Sequence, residues 1–212
     1  MASRREFLQA SIAALALPIS AHAALSPAAA QAEADRTVAV TPLYKVIFDE
    51  RFPASVAFGA EARNLGLPVH AIRGDITDLW FHDLDARWKE SPAAVAGLTA
   101  QGALFCLERL AWDHGMRVVF RGDHHFLPDG GIEHELTGPE SVVRRAAGLP
   151  DDGDAWGARM AGLVARFPED RSVPANATIL GRAAAPPAMA DTDELISWVI
   201  APVAGARILR KA

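Results

Sequence analysis

The chain has 212 residues, half of them apolar, with 26 acidic against 21 basic residues, a formal net charge of −5 and a single cysteine, Cys106. Such a length can bury a full core as one domain. The acidic balance excludes a globally basic nucleic-acid footprint, and one cysteine excludes an intramolecular disulfide.

The first residues include Ser3-Arg4-Arg5-Glu6-Phe7-Leu8, then a weakly apolar stretch Ala10–Ile19 and the small-x-small run Ala21-His22-Ala23. This pattern resembles a twin-arginine (Tat) signal peptide. The resemblance covers residues 1–23 only. It implies recognition by the Tat export machinery, export of an already folded protein and a periplasmic location. Removing the leader takes away Arg4, Arg5 and Glu6, so the mature charge becomes −6. No cysteine lies near the cleavage site, which argues against a lipid anchor, and no later stretch approaches the roughly 18 uninterrupted apolar residues of a membrane span. No stable span is therefore expected after cleavage.

Residues 24–41 read as an Ala-rich linker, and 42–212 as a single α/β domain. Leu43–Phe48 is a β-rich run ending in Asp49-Glu50-Arg51. Pro53 and Gly66 bracket a helix, Pro in the first turn and Gly just past the end, with Val56, Ala57, Ala60 and Leu65 able to face a sheet. Leu67–Ile72 then leads to Arg73-Gly74-Asp75. In Ile76–Pro92, Trp80, Leu84 and Trp88 are spaced by four, as in a helix packed on the core; the competing reading is a lid over the strand ends.

The order repeats from residue 93. Ala94–Leu98 is a short apolar run, Thr99–His114 carries Ala103, Leu104, Leu107, Leu110 and Ala111 on one helical face, and Met116–Phe120 closes on Arg121-Gly122-Asp123. Cys106, within that helix, reads as a buried, inert thiol, since nothing at neighbouring positions would lower its pKa. Two βαβ units that both end in Arg-Gly-Asp predict a mostly parallel sheet, with an internal duplication as one explanation and chance recurrence as the other. Right-handed crossovers would bring their carboxyl ends to one edge, where ligands of open α/β sheets bind.

After the second unit, His124-His125-Phe126-Leu127, Pro128-Asp129-Gly130-Gly131 and Ile132-Glu133-His134-Glu135 read as a β-hairpin. With Leu127 opposite Ile132, His125 would face His134, and His124 would face Glu135. Pro139–Ala147 and Asp154–Phe167 read as appended helices, Arg171–Ala190 as loop, and Leu195–Val203 as a last strand.

Two constellations carry chemistry. Asp49, Arg51, Arg73, Asp75, Thr99, Arg121 and Asp123 gather at the expected strand ends, where guanidinium groups and the helix that follows Thr99 would hold a small anionic molecule; their mutual pairing at the sheet rim is the alternative. Gly97–Gly102 is neither a P-loop nor a dinucleotide fingerprint. His124, His125 and His134, with nearby carboxylates, would suit a transition metal, but a surface hairpin is the commoner meaning of such a pattern. No serine lies in a Gly-x-Ser-x-Gly context, so a hydrolase would have no named nucleophile. The leading expectation is an exported small-anion-binding protein. The alternatives are a metal-dependent hydrolase or oxidoreductase built on the histidine hairpin, and a non-catalytic accessory subunit whose Trp80, Phe81 and Trp88 anchor a partner subunit.

Overall fold

The first strand, β1 (Leu43–Asp49), is apolar on both sides and lies inside a seven-stranded sheet. The computed structural model describes residues 39–171, 173–182 and 194–203; the leader and residues 24–38 of the expected linker lie outside the described residues. Residues 39–41 are docked rather than free: the Thr41 backbone N–H and hydroxyl donate to the carbonyls of Phe167 and Pro168.

Helix α1 (Pro53–Asn64) connects β1 to β2 (Val69–Ile72), which lies parallel to β1. A short helix α2 (Thr77–Leu79), a π-helical turn (Trp80–Leu84) and α3 (Asp85–Glu90) follow. Next come β3 (Ala94–Ala100), parallel to β1, α4 (Gln101–Trp112), β4 (Met116–Phe126) and β5 (Gly131–Pro139). The chain then forms α5 (Glu140–Arg145), a 3-10 segment (Ala146–Ala155), α6 (Trp156–Ala165), β6 (Pro174–Arg182) and β7 (Leu195–Pro202).

The strand order is β2-β1-β3-β7-β4-β5-β6. Only β2-β1 and β1-β3 pair in parallel; the other four pairings are antiparallel. The sheet is mixed, where the sequence led us to expect mostly parallel pairing. The cause is β7: this run, buried along almost its whole length, enters between β3 and β4, so the second strand-helix-strand segment does not close into a paired unit. A second departure is β6, an edge strand in a stretch expected to be loop. Its alternating exposure and small Ala, Asn and Thr residues fit an edge better than a core.

Two apolar layers flank the sheet. One packs α1, α5 and α6 against Val46, Phe48, Leu98, Phe120 and Val199; the other packs the 77–90 segment and α4 against Ile47, Val95, Ile196 and Trp198. Trp80, Leu84 and Trp88 all belong to the second layer, so two of the three expected partner anchors are core residues, while Phe81 is 69% exposed. Asp83 fixes this segment to β1: it accepts from Tyr44 Oη at 2.6 Å and is ion-paired with Lys45.

In α1 the buried positions are Ser55, Phe58, Gly59 and Ala62, while Val56 and Leu65 are exposed. The expected face is wrong because Gly59 is the contact point: a Cβ there would stand 2.5 Å from the Phe48 ring, so the helix lies too close to the sheet for a larger side chain. Cys106 is exposed, contrary to the expected buried thiol.

Candidate functional site

Helix α1 leaves β1 on one face of the sheet and returns to β2, on one side of β1. Helix α4 leaves β3 on the opposite face and leads to β4, on the other side. Two neighbouring parallel strands whose helices depart in opposite directions form a topological switch point, and the crevice outside their carboxyl ends is where open α/β sheets hold ligands. Here it lies between the ends of β1 and β3.

At the end of β1 the Asp49 carboxylate is fully buried. Arg51 grips it with Nε at 3.0 and 3.2 Å and Nη2 at 2.8 Å, and the Arg51 backbone N–H adds a bond of 3.2 Å. A carboxylate of zero exposure is tolerable only with such pairing, and the pairing fixes a partly exposed guanidinium at the crevice. Ser55 Oγ accepts from the Asp49 N–H at 2.7 Å and donates to the Leu98 carbonyl, tying β1, α1 and β3 together beneath it. Gly74 covers the guanidinium from the β2 side. Its φ of +83° calls for glycine there, and a Cβ would stand 2.8 Å from Arg51 Cζ, so the guanidinium would have to shift to admit one.

Arg73, the residue before Gly74 and just past the end of β2, is exposed. Asp75 turns away to receive the Thr77 N–H at 2.8 Å and hydroxyl at 2.6 Å, bonds that hold its carboxyl below the ordinary range. From the β3 side come exposed Gln101 and Gly102, the first turn of α4. The Gln101 N–H donates to the Glu194 carbonyl, and a Cβ on Gly102 would meet nothing within 4 Å.

The remaining candidates fall elsewhere. Thr99 is buried and internally committed, accepting from Trp198 Nε1 at 3.0 Å and donating to the Ala100 carbonyl. The second Arg-Gly-Asp is not a loop like the first but lies inside β4. Arg121 pairs across to Trp198, which pairs with Gly97, two residues short of Thr99. Three strand steps separate it from β1, about 14 Å. Arg121 and Asp123 form their own ion pair, with bonds of 2.7–3.1 Å, and this raises the Arg121 pKa. Asp49, Arg51, Arg73 and Asp75 thus cluster at the ends of β1 and β2, whereas Asp123, level with Thr99 through Ile196, and Arg121, two residues short of it, lie three strands away on β4.

The histidine hairpin is shifted by one residue from the expected register. Gly130 alone takes positive φ, +82°, and the Leu127 N–H donates to the Gly131 carbonyl, so the loop is Pro128-Asp129-Gly130 and Gly131 is already strand. His124 therefore faces His134, and His125 faces Glu133. Alternation along a strand then splits the trio: His124 and His134 enter the core, and His125 lies on the other face, 3.9 Å from Glu194.

The two buried rings have their Nδ1 atoms 2.7 Å apart, one donating and one accepting, and His124 Nε2 lies 2.9 Å from Ser197 Oγ. Trp156 packs against both rings, with centroids at 4.5 and 5.1 Å. Gly122 makes room, since a Cβ there would stand 2.5 Å from Ser197 Oγ. His134 Nε2 is buried without a partner. Burial pushes the His134 pKa down to about 4; burial, and then the neighbouring His134 and His125, push His124 well below its usual value. Both rings are neutral at pH 7. Two imidazoles that hydrogen-bond each other do not make the three-ligand set of a catalytic metal, and among the described residues no group of three or more His, Cys, Asp or Glu is placed to hold an ion.

No protein-family model matches the sequence, and no curated protein or solved structure matches it.

Proposed function

We propose that the chain is an exported protein that binds a small anionic molecule in the crevice between the carboxyl ends of β1 and β3. The observation that carries this reading is the Arg51 guanidinium, fixed by a fully buried carboxylate at a topological switch point. Arg73 adds a second positive group, and the first turn of α4 adds backbone N–H groups and the positive end of the helix dipole. A carboxylate or phosphate accepts bonds from all three. Export rests on the twin-arginine pattern of residues 3–8 and places the ligand in the periplasm.

The test is calorimetric titration of small carboxylates and phosphates into the full chain and its variants. A charge-assisted guanidinium bond contributes about 1.5–3 kcal/mol, so Arg51→Ala/Arg73→Ala should weaken binding at least about tenfold. Arg121→Ala, outside the crevice, should leave affinity unchanged. Equal affinity in the double variant and the parent would refute the assignment. The export reading has its own check: Arg4→Lys/Arg5→Lys should hold the protein in the cytoplasm.

A further inference from the structure

We propose that β6 is the seam of a homodimer, in which two copies join their β6 edges antiparallel about a twofold at Thr178 and so make one continuous sheet. The outer strands of the sheet are β2 and β6, and they differ. Strand β2 is four residues long and runs into the positive-φ turn at Gly74. Strand β6 has nine residues in unbroken register with β5, and among the described residues nothing pairs with its other side. Long edges in monomers are usually blocked by lysines, inward charges, bulges or prolines within the strand. Here the proline is the first residue, the one charge, Arg182, is the last, and the ladder runs straight between them.

The ladder fixes which backbone groups face outward. The Glu140 N–H donates to the Val173 carbonyl, so 173 is a bonded position toward β5. By antiparallel alternation the N–H and C=O groups of 175, 177, 179 and 181 are then spent on β5. On the other side of β5 the Leu127 N–H donates to the Gly131 carbonyl, which gives the same alternation. The N–H and C=O groups of Asn176, Thr178, Leu180 and Arg182, with the Pro174 carbonyl, therefore point away from the sheet.

A second copy supplies the complement. About a twofold at Thr178, residue 178 faces itself, 176 faces 180 and 174 faces 182. Every outward N–H then meets a carbonyl: Thr178 on Thr178, Asn176 and Leu180 on each other, and Arg182 on Pro174. The proline, with no N–H to give, falls at the end of the seam, where only its carbonyl is used. This register pairs the whole strand, and it sets no like charges face to face, since the two Arg182 residues stand about 26 Å apart at opposite ends. Ile179 lies opposite Ala177 of the other copy, and Leu180, 64% exposed in one copy, lies diagonal to Thr178 and Pro174 of the other. A foreign strand would have to match this pattern of donors, acceptors and uncharged residues; the chain carries the match in itself, as an isologous interface requires.

The experiment is sedimentation velocity on the full chain at rising concentration, where the parent should pass from one chain mass to two. Thr178→Lys changes an exposed side chain and sets two like charges face to face at the twofold; it should weaken the dimer at least about tenfold. Thr178→Pro removes the central pair of bonds and none to β5, so it should weaken the dimer as much while the far-UV circular dichroism stays that of the parent. In a Cys106→Ala background, Thr178→Cys should be joined chain to chain by a short bis-maleimide, and Arg182→Cys should not. A parent that stays monomeric up to high micromolar concentration overturns the proposal. A dimer that either variant at 178 leaves intact overturns it too, as does cross-linking at 182 equal to that at 178.

Discussion

Acidification should unfold this protein earlier than its carboxylates alone require, because the His124–His134 pair is buried neutral. In the unfolded chain each imidazole titrates near 6.5; in the fold burial brings His134 down to about 4 and, with the neighbouring His134 and His125, holds His124 well below its usual value. Between those values the unfolded chain binds more protons, so stability is whole above pH 6.5 and declines as pH falls toward 4. For His134 the gap is about 2.5 pH units, which at 1.36 kcal/mol per unit is about 3 kcal/mol. His124 adds to the loss in the same direction, and the total is a large share of a typical folding free energy of about 5–15 kcal/mol.

Asp75 and Asp83 also have lowered pKa values, but their contributions are full above pH 4 and are lost only below it. His70 is lowered as well, first by burial and then by Lys45, and it serves as a constant background. The assay is urea unfolding at pH 7, 6, 5 and 4 for the parent and for His124→Phe/His134→Phe. Replacing both hydrogen-bonded partners with apolar groups strands neither, and the flat rings keep the stack on Trp156. The parent should lose at least about 3 kcal/mol more than the double variant between pH 7 and 4. Equal losses in the two proteins would refute the assignment of the acid limb to this pair.

Two structural predictions accompany it. Gly157→Ala places a methyl group against the Ala54 carbonyl oxygen, at a separation no real Cβ shows; a gain of about 1 kcal/mol in helix propensity should be outweighed by an overpacking cost of about 1–3 kcal/mol or more, seen as a lower melting temperature. Ser55→Ala removes the acceptor of the Asp49 N–H and the donor to the Leu98 carbonyl; the stranded buried N–H should cost about 1–3 kcal/mol in urea unfolding.

Local chemistry made part of this fold readable. Pro53 and Gly66 bound α1 closely, and the apolar face of α4 appears as Ala103, Leu104, Leu107 and Ala111, all buried. What the sequence hid depends on distant partners. The place of β7 between β3 and β4 is set by pairing across about a hundred residues, although the run Leu195–Ala201, apolar but for Ser197, signals a strand buried on both faces. Strand β6 carries a single large β-branched residue, Ile179, among mostly small residues, because only one edge and part of one face are covered. The hairpin register turned on one residue: Asp129-Gly130 is the turn pair and Gly131 is strand, and a shift of one carries every side chain to the other face. That slip separates a surface trio of histidines from the buried pair observed. In the crevice, Asp49 and Arg51 were legible by type and spacing, whereas Arg121 was misled by its repeated tripeptide, since an identical Arg-Gly-Asp serves as a loop at 73–75 and as strand at 121–123.

The unpartnered Nε2 of His134 fixes the proton arrangement of the buried pair. If His124 Nδ1 donated to His134 Nδ1, the neutral His134 ring would carry its proton on Nε2, leaving a buried N–H with no acceptor. In the opposite arrangement His134 Nδ1–H donates to His124 Nδ1, and His124 Nε2–H donates to Ser197 Oγ. Ser197 in turn donates to the Gly122 carbonyl, 3.5 Å away. Only a lone pair on His134 Nε2 is then left over, and buried N–H groups without acceptors are the rarer defect in proteins. The second arrangement is therefore expected: His134 as the Nδ1–H tautomer and His124 as the Nε2–H tautomer. Long-range ¹H–¹⁵N correlation spectra at pH 7 separate the two, since a bare imidazole nitrogen and one bearing hydrogen resonate far apart. A protonated Nε2 on His134 would reverse the donor order and leave Ser197 donating to His124 instead.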